Sequence, residues 1–261
     1  MTSAPGLPGM PGMPIDARAA AASDNAEWCD IVCGSHGLTG RTDADAWSVS
    51  HRSPQWYPDA VTLRPGVDAV TLLARIDAGP GASVKDSFAD IDLSGYGFRV
   101  LFEAQWIHRP PTAPPVDTPL DPVTTADDLA AWAAAHGGGE LFRPALLTNP
   151  RVRVLARHDD RGAITGGAVL SGDGQYGVSN LFTHTDRPRD IWRAVCATVP
   201  DAPLVGYETT PELAPALETG FLPTGPLRVW LRARTAMLGG IGTDPAITGE
   251  PPEERAARPP Q

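Results

Sequence analysis

The chain has 261 residues and a formal net charge of −10, from 21 Lys and Arg against 31 Asp and Glu. So acidic a chain repels phosphate backbones, which disfavours general binding to nucleic acid or to anionic membranes. No run approaches the roughly 18 apolar residues of a membrane helix, and three cysteines without disulfide-scaffold density fit a reducing, cytoplasmic setting.

The N-terminal stretch lacks both a charged and an apolar region of a secretory signal. Residues 1–23 are rich in Pro, Gly and Ala and are expected to be a disordered tail. A first folded segment is expected over 24–107, opened by a helix at WCDIVCGSHG, 28–37. YPDAVTL reads as a strand, and the loop Arg64-Pro65-Gly66 leads to a helix with Ala69, Leu72, Leu73 and Ile76 on one face. SVKDSF is a strand, ADIDLSGYGF ends in a Gly-Phe pair, and RVLFEAQWI is a closing strand. HRPPTAPPVDTPLDP, 108–122, reads as an extended connector.

The second segment, 123–236, parses more sharply. Thr125 and Asp128 resemble a capping box, and Leu129, Trp132, Ala133 and His136 share one face of the helix that follows, stopped at Gly137–Gly139. RVRVLARHD and AITGGAVLSGD form a hairpin around Asp159–Gly162, and QYGVSNLFT is a third strand. A helix is expected from about Asp190, with Trp192, Val195, Cys196 and Val199 inward. APLVGYE is a strand, TPELAPALETGF a helix with Pro211 early and Gly220 at its end, and LPTGPLRVWLR the last strand. Residues 243–261 are expected to be a second disordered tail.

The segments share landmarks. Val61 matches Val178, Val84 matches Val205, Gly97-Phe98 matches Gly220-Phe221, and Trp106 matches Trp230, at offsets of 117, 121, 123 and 124. This reads as an internal duplication of a strand–helix–strand–helix–strand unit, with 60–63 parallel to 83–87 and 178–182 parallel to 204–208.

The order helix, hairpin, strand, loop, helix, strand, helix, strand, with ETGF at 218–221, resembles the GCN5-related N-acetyltransferase (GNAT) superfamily. The expected class is a mixed α/β (α+β) sheet: a GNAT-like domain preceded by a truncated GNAT-like half domain, as in degenerate tandem chains of actinobacterial type. WIHRP, 106–110, would be the first strand of the complete copy. The resemblance implies an acyl-CoA-dependent N-acyltransferase, with acetyl-CoA as co-substrate and a small-molecule amine as acceptor. No metal is expected, and the chain would be a monomer or homodimer. The alternative is a catalytically inactive GNAT-like module that binds a ligand or a protein.

In the family two parallel strands splay apart around the cofactor, and a Gly-rich loop at the next helix holds its pyrophosphate through free amides. The loop at that position here is Thr183-His184-Thr185-Asp186-Arg187-Pro188-Arg189, which lacks the glycines. Thr183, His184, Thr185, Arg187 and Arg189 are the candidate cofactor contacts, with the amide of Phe182 or a neighbour polarising the acyl carbonyl. The other reading is a solvated loop with Asp190 capping the helix. Arg64 to Gly66 is the counterpart loop of the first copy. The family's frequent acid, a tyrosine four residues before Gly-Phe, is replaced by Ala216 and Leu93. Glu208 and Tyr207, at a strand's C-terminal end, are the substitutes: Glu208 as general base, or as a helix cap with Thr209 or Thr210.

Other residues read as structure. Cys29, Cys33 and His36 lie on one helical face but lack the further pair a metal site needs. Trp28, Trp47, Trp56 and Tyr57 read as core rather than cleft lining. Lys85, the sole lysine, reads with Asp86 as a rim salt bridge.

Overall fold

The computed structural model describes residues 17–113 and 117–233. The tail expected over 243–261 and residues 1–16 lie outside them. The tail expectation fails at Ala17, where helix α1 (Ala17–Ser35) begins. Alanine has the highest helix propensity, and the small Ala21 and Ala22 let α1 lie close against the sheet, where both are buried.

One sheet of 11 strands runs through the chain. Its strands are β1 (Gly40–Thr42), β2 (Ala46–Val49), β3 (Ala60–Thr62), β4 (Ser83–Asp86), β5 (Phe98–Arg109), β6 (Asp121–Pro122), β7 (Val152–His158), β8 (Ile164–Asp173), β9 (Gln175–Thr183), β10 (Leu204–Glu208) and β11 (Leu222–Arg232). The spatial order is β1-β2-β3-β4-β11-β5-β10-β9-β8-β7-β6. Apart from the outermost β6, it reads the same from either end, with the antiparallel pair β5–β11 at its centre. Each half's last strand sits beside the other half: β11 pairs with β4, and β5 with β10.

Two pairs are parallel. β3 meets β4 at Ala60–Val84 and Val61–Lys85, and β9 meets β10 at Tyr176–Leu204 and Gly177–Val205. Both pairings were expected as parallel; the second sits two residues earlier on β9. WIHRP does not start a new strand. Trp106 to Arg109 continue β5, because β10 and β11 pair with it over that length.

The helices divide between two faces. α1 and α3 (Ala126–His136) cover the front; α2 (Ala69–Leu73), α4 (Pro188–Thr198) and α5 (Leu213–Leu217) cover the back. In α3, Thr125 accepts from the Asp128 amide at 3.1 Å, and Leu129, Trp132, Ala133 and His136 are buried. Gly137, at φ 88°, closes the helix in the left-handed region that glycine enters without strain. α4 starts at Pro188, ahead of the expected Asp190, and Arg187 rather than Asp190 holds the cap position. The single helix expected over TPELAPALETGF is a 3-10 turn (Thr210–Glu212) followed by the short α5. Its counterpart near ADIDLSGYGF is only the 3-10 turn Ser94–Tyr96.

The connector is tied down at several points. Arg109, 1 % exposed, donates to the carbonyls of Thr219 at 3.0 Å and Ala113 at 3.3 Å. Asp117 pairs with Arg157 at 3.2 Å and Arg193 at 3.5 Å, and Leu120 is buried, its amide donating to the Thr198 hydroxyl at 3.1 Å. Among the described residues no helix is long and apolar enough to cross a membrane, and no cluster of three His, Cys, Asp or Glu has metal-site geometry.

Candidate active site

The pairing of β9 and β10 ends at Gly177 and Val205, although β9 runs on to Thr183 and β10 to Glu208. The strands therefore diverge toward their C-terminal ends, where sites form in open α/β sheets. Along the same stretch the β8–β9 register slips between Gly167 and Val169, and Asn180 sits at φ 52°. An extra residue in one strand leaves ladder groups unpaired and re-aims side chains. Asparagine is among the few non-glycine residues that accept this conformation.

On the front, α1 crosses β9, β10, β5 and β3, and polar side chains fill the contact. The Trp28 indole donates to the Tyr57 hydroxyl at 3.0 Å, and the Asn180 amide bonds that hydroxyl at 3.3 Å and the Ser179 hydroxyl at 3.0 Å. Burial raises the Tyr57 pKa. Asp24 accepts from the Gly177 amide, and a Cβ on Gly177 would overlap its carboxylate, so only glycine fits beneath α1 there. Burial, reinforced by Glu27, raises the Asp24 pKa to about 7.

Lys85 is not at a rim and does not pair with Asp86. Neighbouring residues of a strand face opposite sides. Lys85 is buried under α1, with Nζ 2.8 Å from Asn25 Oδ1 and 4.1 Å from the Tyr207 ring centroid. Asp86 is buried and accepts from the amides of Phe88 at 3.2 Å and Ile91 at 3.1 Å. Cys29 and Cys33 are buried free thiols, each pushed up to about 12 by burial, and His36 bonds the Leu141 carbonyl at 2.9 Å. Trp28, Trp47 and Tyr57 are buried.

The expected cofactor loop follows β9 and is exposed from His184 to Arg189. Thr183 and Thr185 share a hydroxyl contact at 3.1 Å, His184 Nε2 sits 3.0 Å from the Ala135 carbonyl, and Arg189 pairs with Glu218 at 3.2 Å. Arg187 is exposed, and its amide donates to the Thr185 hydroxyl at 3.4 Å. Phe182 turns its ring to the front, against Trp132 at 5.4 Å.

Tyr207 and Glu208 do not converge. Tyr207 packs edge-on to Trp106 at 5.6 Å on the front. The buried Glu208 faces the other way, on the side that carries α4. Ala216 and Leu93, where the resembled family has its acid, are fully buried and apolar. Sequence reasoning missed Asp24, Asn25 and Asn180, whose roles come from contacts across the sheet; the lone lysine was the one available signal for Lys85.

No family model matches the sequence, and no curated protein matches it. Solved structures do. A GCN5-related N-acetyltransferase from Kribbella flavida superposes with a TM-score of 0.55 at 15% identity, over 88% of this chain and 98% of that one. A GNAT-family protein from Novosphingobium aromaticivorans gives 0.52 at 14% identity, over 82% and 99%. The chain has the fold of the GCN5-related N-acetyltransferases.

Proposed function

We propose that the protein is an acyl-CoA-dependent N-acyltransferase using acetyl-CoA and a small-molecule amine. The observation that carries this reading is the divergence of β9 from β10 beside the irregularity at Asn180. The acyl chain enters that gap, and a backbone amide freed near Phe182 polarises the thioester carbonyl. The amine nitrogen bonds to the carbonyl carbon, the C–S bond breaks, and the thiolate leaves. Glu208, buried at the end of β10, takes the amine proton. Tyr207, on the opposite face, lines the front of the gap. The symmetric strand order supports descent from an internal duplication, and the three free cysteines, all buried, fit a cytoplasmic location.

The residues present fit the chain of the co-substrate better than its phosphates. Pro188 removes one amide from the start of α4, and the loop has no glycine for close backbone approach. Thr183, His184 and Thr185 offer polar contacts, while Arg187 and Arg189 supply the charge. The same loop, together with the buried Ala216 and Leu93, favours the second reading, an inactive ligand-binding module.

Calorimetry with CoA separates the readings. Replacing Arg187 and Arg189 by Ala is expected to weaken binding by about 1.5–3 kcal/mol per arginine lost, the range for a hydrogen bond to a charged group, with a smaller loss at high salt. Arg187 should contribute more, because Arg189 is already paired with Glu218. Glu208→Gln should lower thiol release from acetyl-CoA with an amine while leaving CoA affinity unchanged. CoA binding without thiol release from any amine would support the module. No heat with millimolar CoA would remove the transferase reading.

A further inference from the structure

Beside the gap, on the front, stands a group of aromatic side chains, two of which carry unmatched polar atoms. His136 closes α3 and is 7 % exposed. Its ring stacks on Trp132 at 5.1 Å and meets the edges of Phe142 at 4.9 Å, Phe182 at 5.4 Å and Trp56 at 6.4 Å. Neither Nδ1 nor Nε2 has a hydrogen-bond partner, and neither does the buried Nε1 of Trp56. Buried polar groups nearly always find partners, so adjacent orphans on touching rings need an explanation.

Trp56 adds a second anomaly. Its backbone is at φ 74°, in the left-handed region that bulky residues avoid. Such strain persists where the surroundings impose it and clusters at ligand clamps. Trp56 is half-buried in the turn before β3, next to the exposed Gln55, whereas Trp132 and Phe142 are buried.

We propose that Trp56 and His136 form a binding niche for an aromatic ring carrying an uncharged hydrogen-bonding group, of the carboxamide or hydroxyl class. The indole supplies one N–H donor, and the neutral imidazole supplies one donor and one acceptor. A carboxamide or hydroxyl matches two of these at once: its oxygen accepts from the indole, and its own N–H or O–H donates to one imidazole nitrogen, the two ring nitrogens pointing too far apart for one group to meet both. Trp132, Phe142 and Phe182 offer ring edges and faces to the apolar part of the ligand. Burial alone lowers the His136 pKa to about 4, so the imidazole is uncharged at neutral pH. With no charged side chain in the ring group, a carboxylate or ammonium would enter without a counter-charge. The niche shares Phe182 with the proposed acyl site, yet it needs no acyl-CoA and stands or falls without it.

Titration of the full chain with benzamide tests it, followed by the indole N–H resonance of Trp56, assigned by its loss in Trp56→Phe. Millimolar benzamide should move that resonance. Affinity, followed in the variants by the Trp132 indole N–H, should fall at least tenfold in Trp56→Phe, which keeps a ring, and in His136→Phe, which keeps the stacking. Benzoate and benzylamine should bind at least tenfold more weakly. An indole resonance that stays in place, as it would with a bound water only, overturns the proposal. Equal binding of the charged probes overturns it too, as does undiminished affinity in Trp56→Phe.

Discussion

Asp59→Ala is expected to cost about 2–6 kcal/mol of stability, from two buried amides left without their acceptor at about 1–3 kcal/mol each. Asp59 is 1 % exposed at the entry to β3. Its carboxylate pairs with Arg52 and accepts from the amides of Ser53 at 2.8 Å and Ser83 at 2.9 Å. One side chain thus joins the turn before β3 to the start of β4, on the side where those two strands are still paired. Alanine leaves two amides without an acceptor. Arg52 keeps a partner in Asp77 at 3.4 Å, so the loss comes mainly from the amides and the β3–β4 junction. Urea unfolding measures it, and a change below about 1 kcal/mol would mean water replaces the carboxylate at little cost. Asp59→Asn, which keeps one acceptor oxygen, should fall between the two.

Asp24→Asn should stabilise the protein, and more so as pH rises. Asp24 is held protonated by burial until about pH 7, against a usual value near 4. Between those values the unfolded chain releases a proton that the folded chain retains, so folding stability falls as pH rises through that window. Glu27 on α1 opposes ionisation, while Arg151 and the Gly177 amide favour it without reversing the direction. Asparagine keeps an acceptor for the Gly177 amide and carries no proton to lose. Its advantage should grow by about 2–3 kcal/mol between pH 5 and pH 8, from the two pH units of that interval below the folded value. Denaturant midpoints at both pH values decide it; a constant difference would place the Asp24 carboxylate in water.

The parts of the fold legible in the sequence are those fixed by local chemistry. The buried face of α3, its Thr125 cap and its Gly137 stop follow from spacing and capping. The β7–β8 hairpin closes at Asp159, whose amide bonds the Ala163 carbonyl at 2.9 Å. β1 and β2 escaped notice because three or four residues with polar neighbours carry too little periodicity. The full length of β5 escaped because its end runs into a Pro-rich segment, and only pairing with β10 and β11 extends it. In the site, the loop from Thr183 to Arg189 and the strand end at Glu208 were placed by position. The opposite facing of Tyr207 and Glu208 was also legible, since strand residues alternate, and taking them as a pair overlooked it. Asn25 of α1 meets Lys85 of β4, Asp24 meets Gly177 of β9, and Tyr57, in the turn before β3, meets Trp28 and Asn180. Short-range pattern carries no trace of such contacts.

Amide resonances followed during titration with acetyl-CoA report whether the divergence of β9 and β10 is an acyl-CoA slot. Shifts are expected at Asn180 to Thr183, at Arg187, Arg189 and Asp190, and at Gly206 to Thr209, the two strand ends and the start of α4. Shifts confined to Arg64–Val67, or none at millimolar acetyl-CoA, would contradict an acyl-CoA slot there.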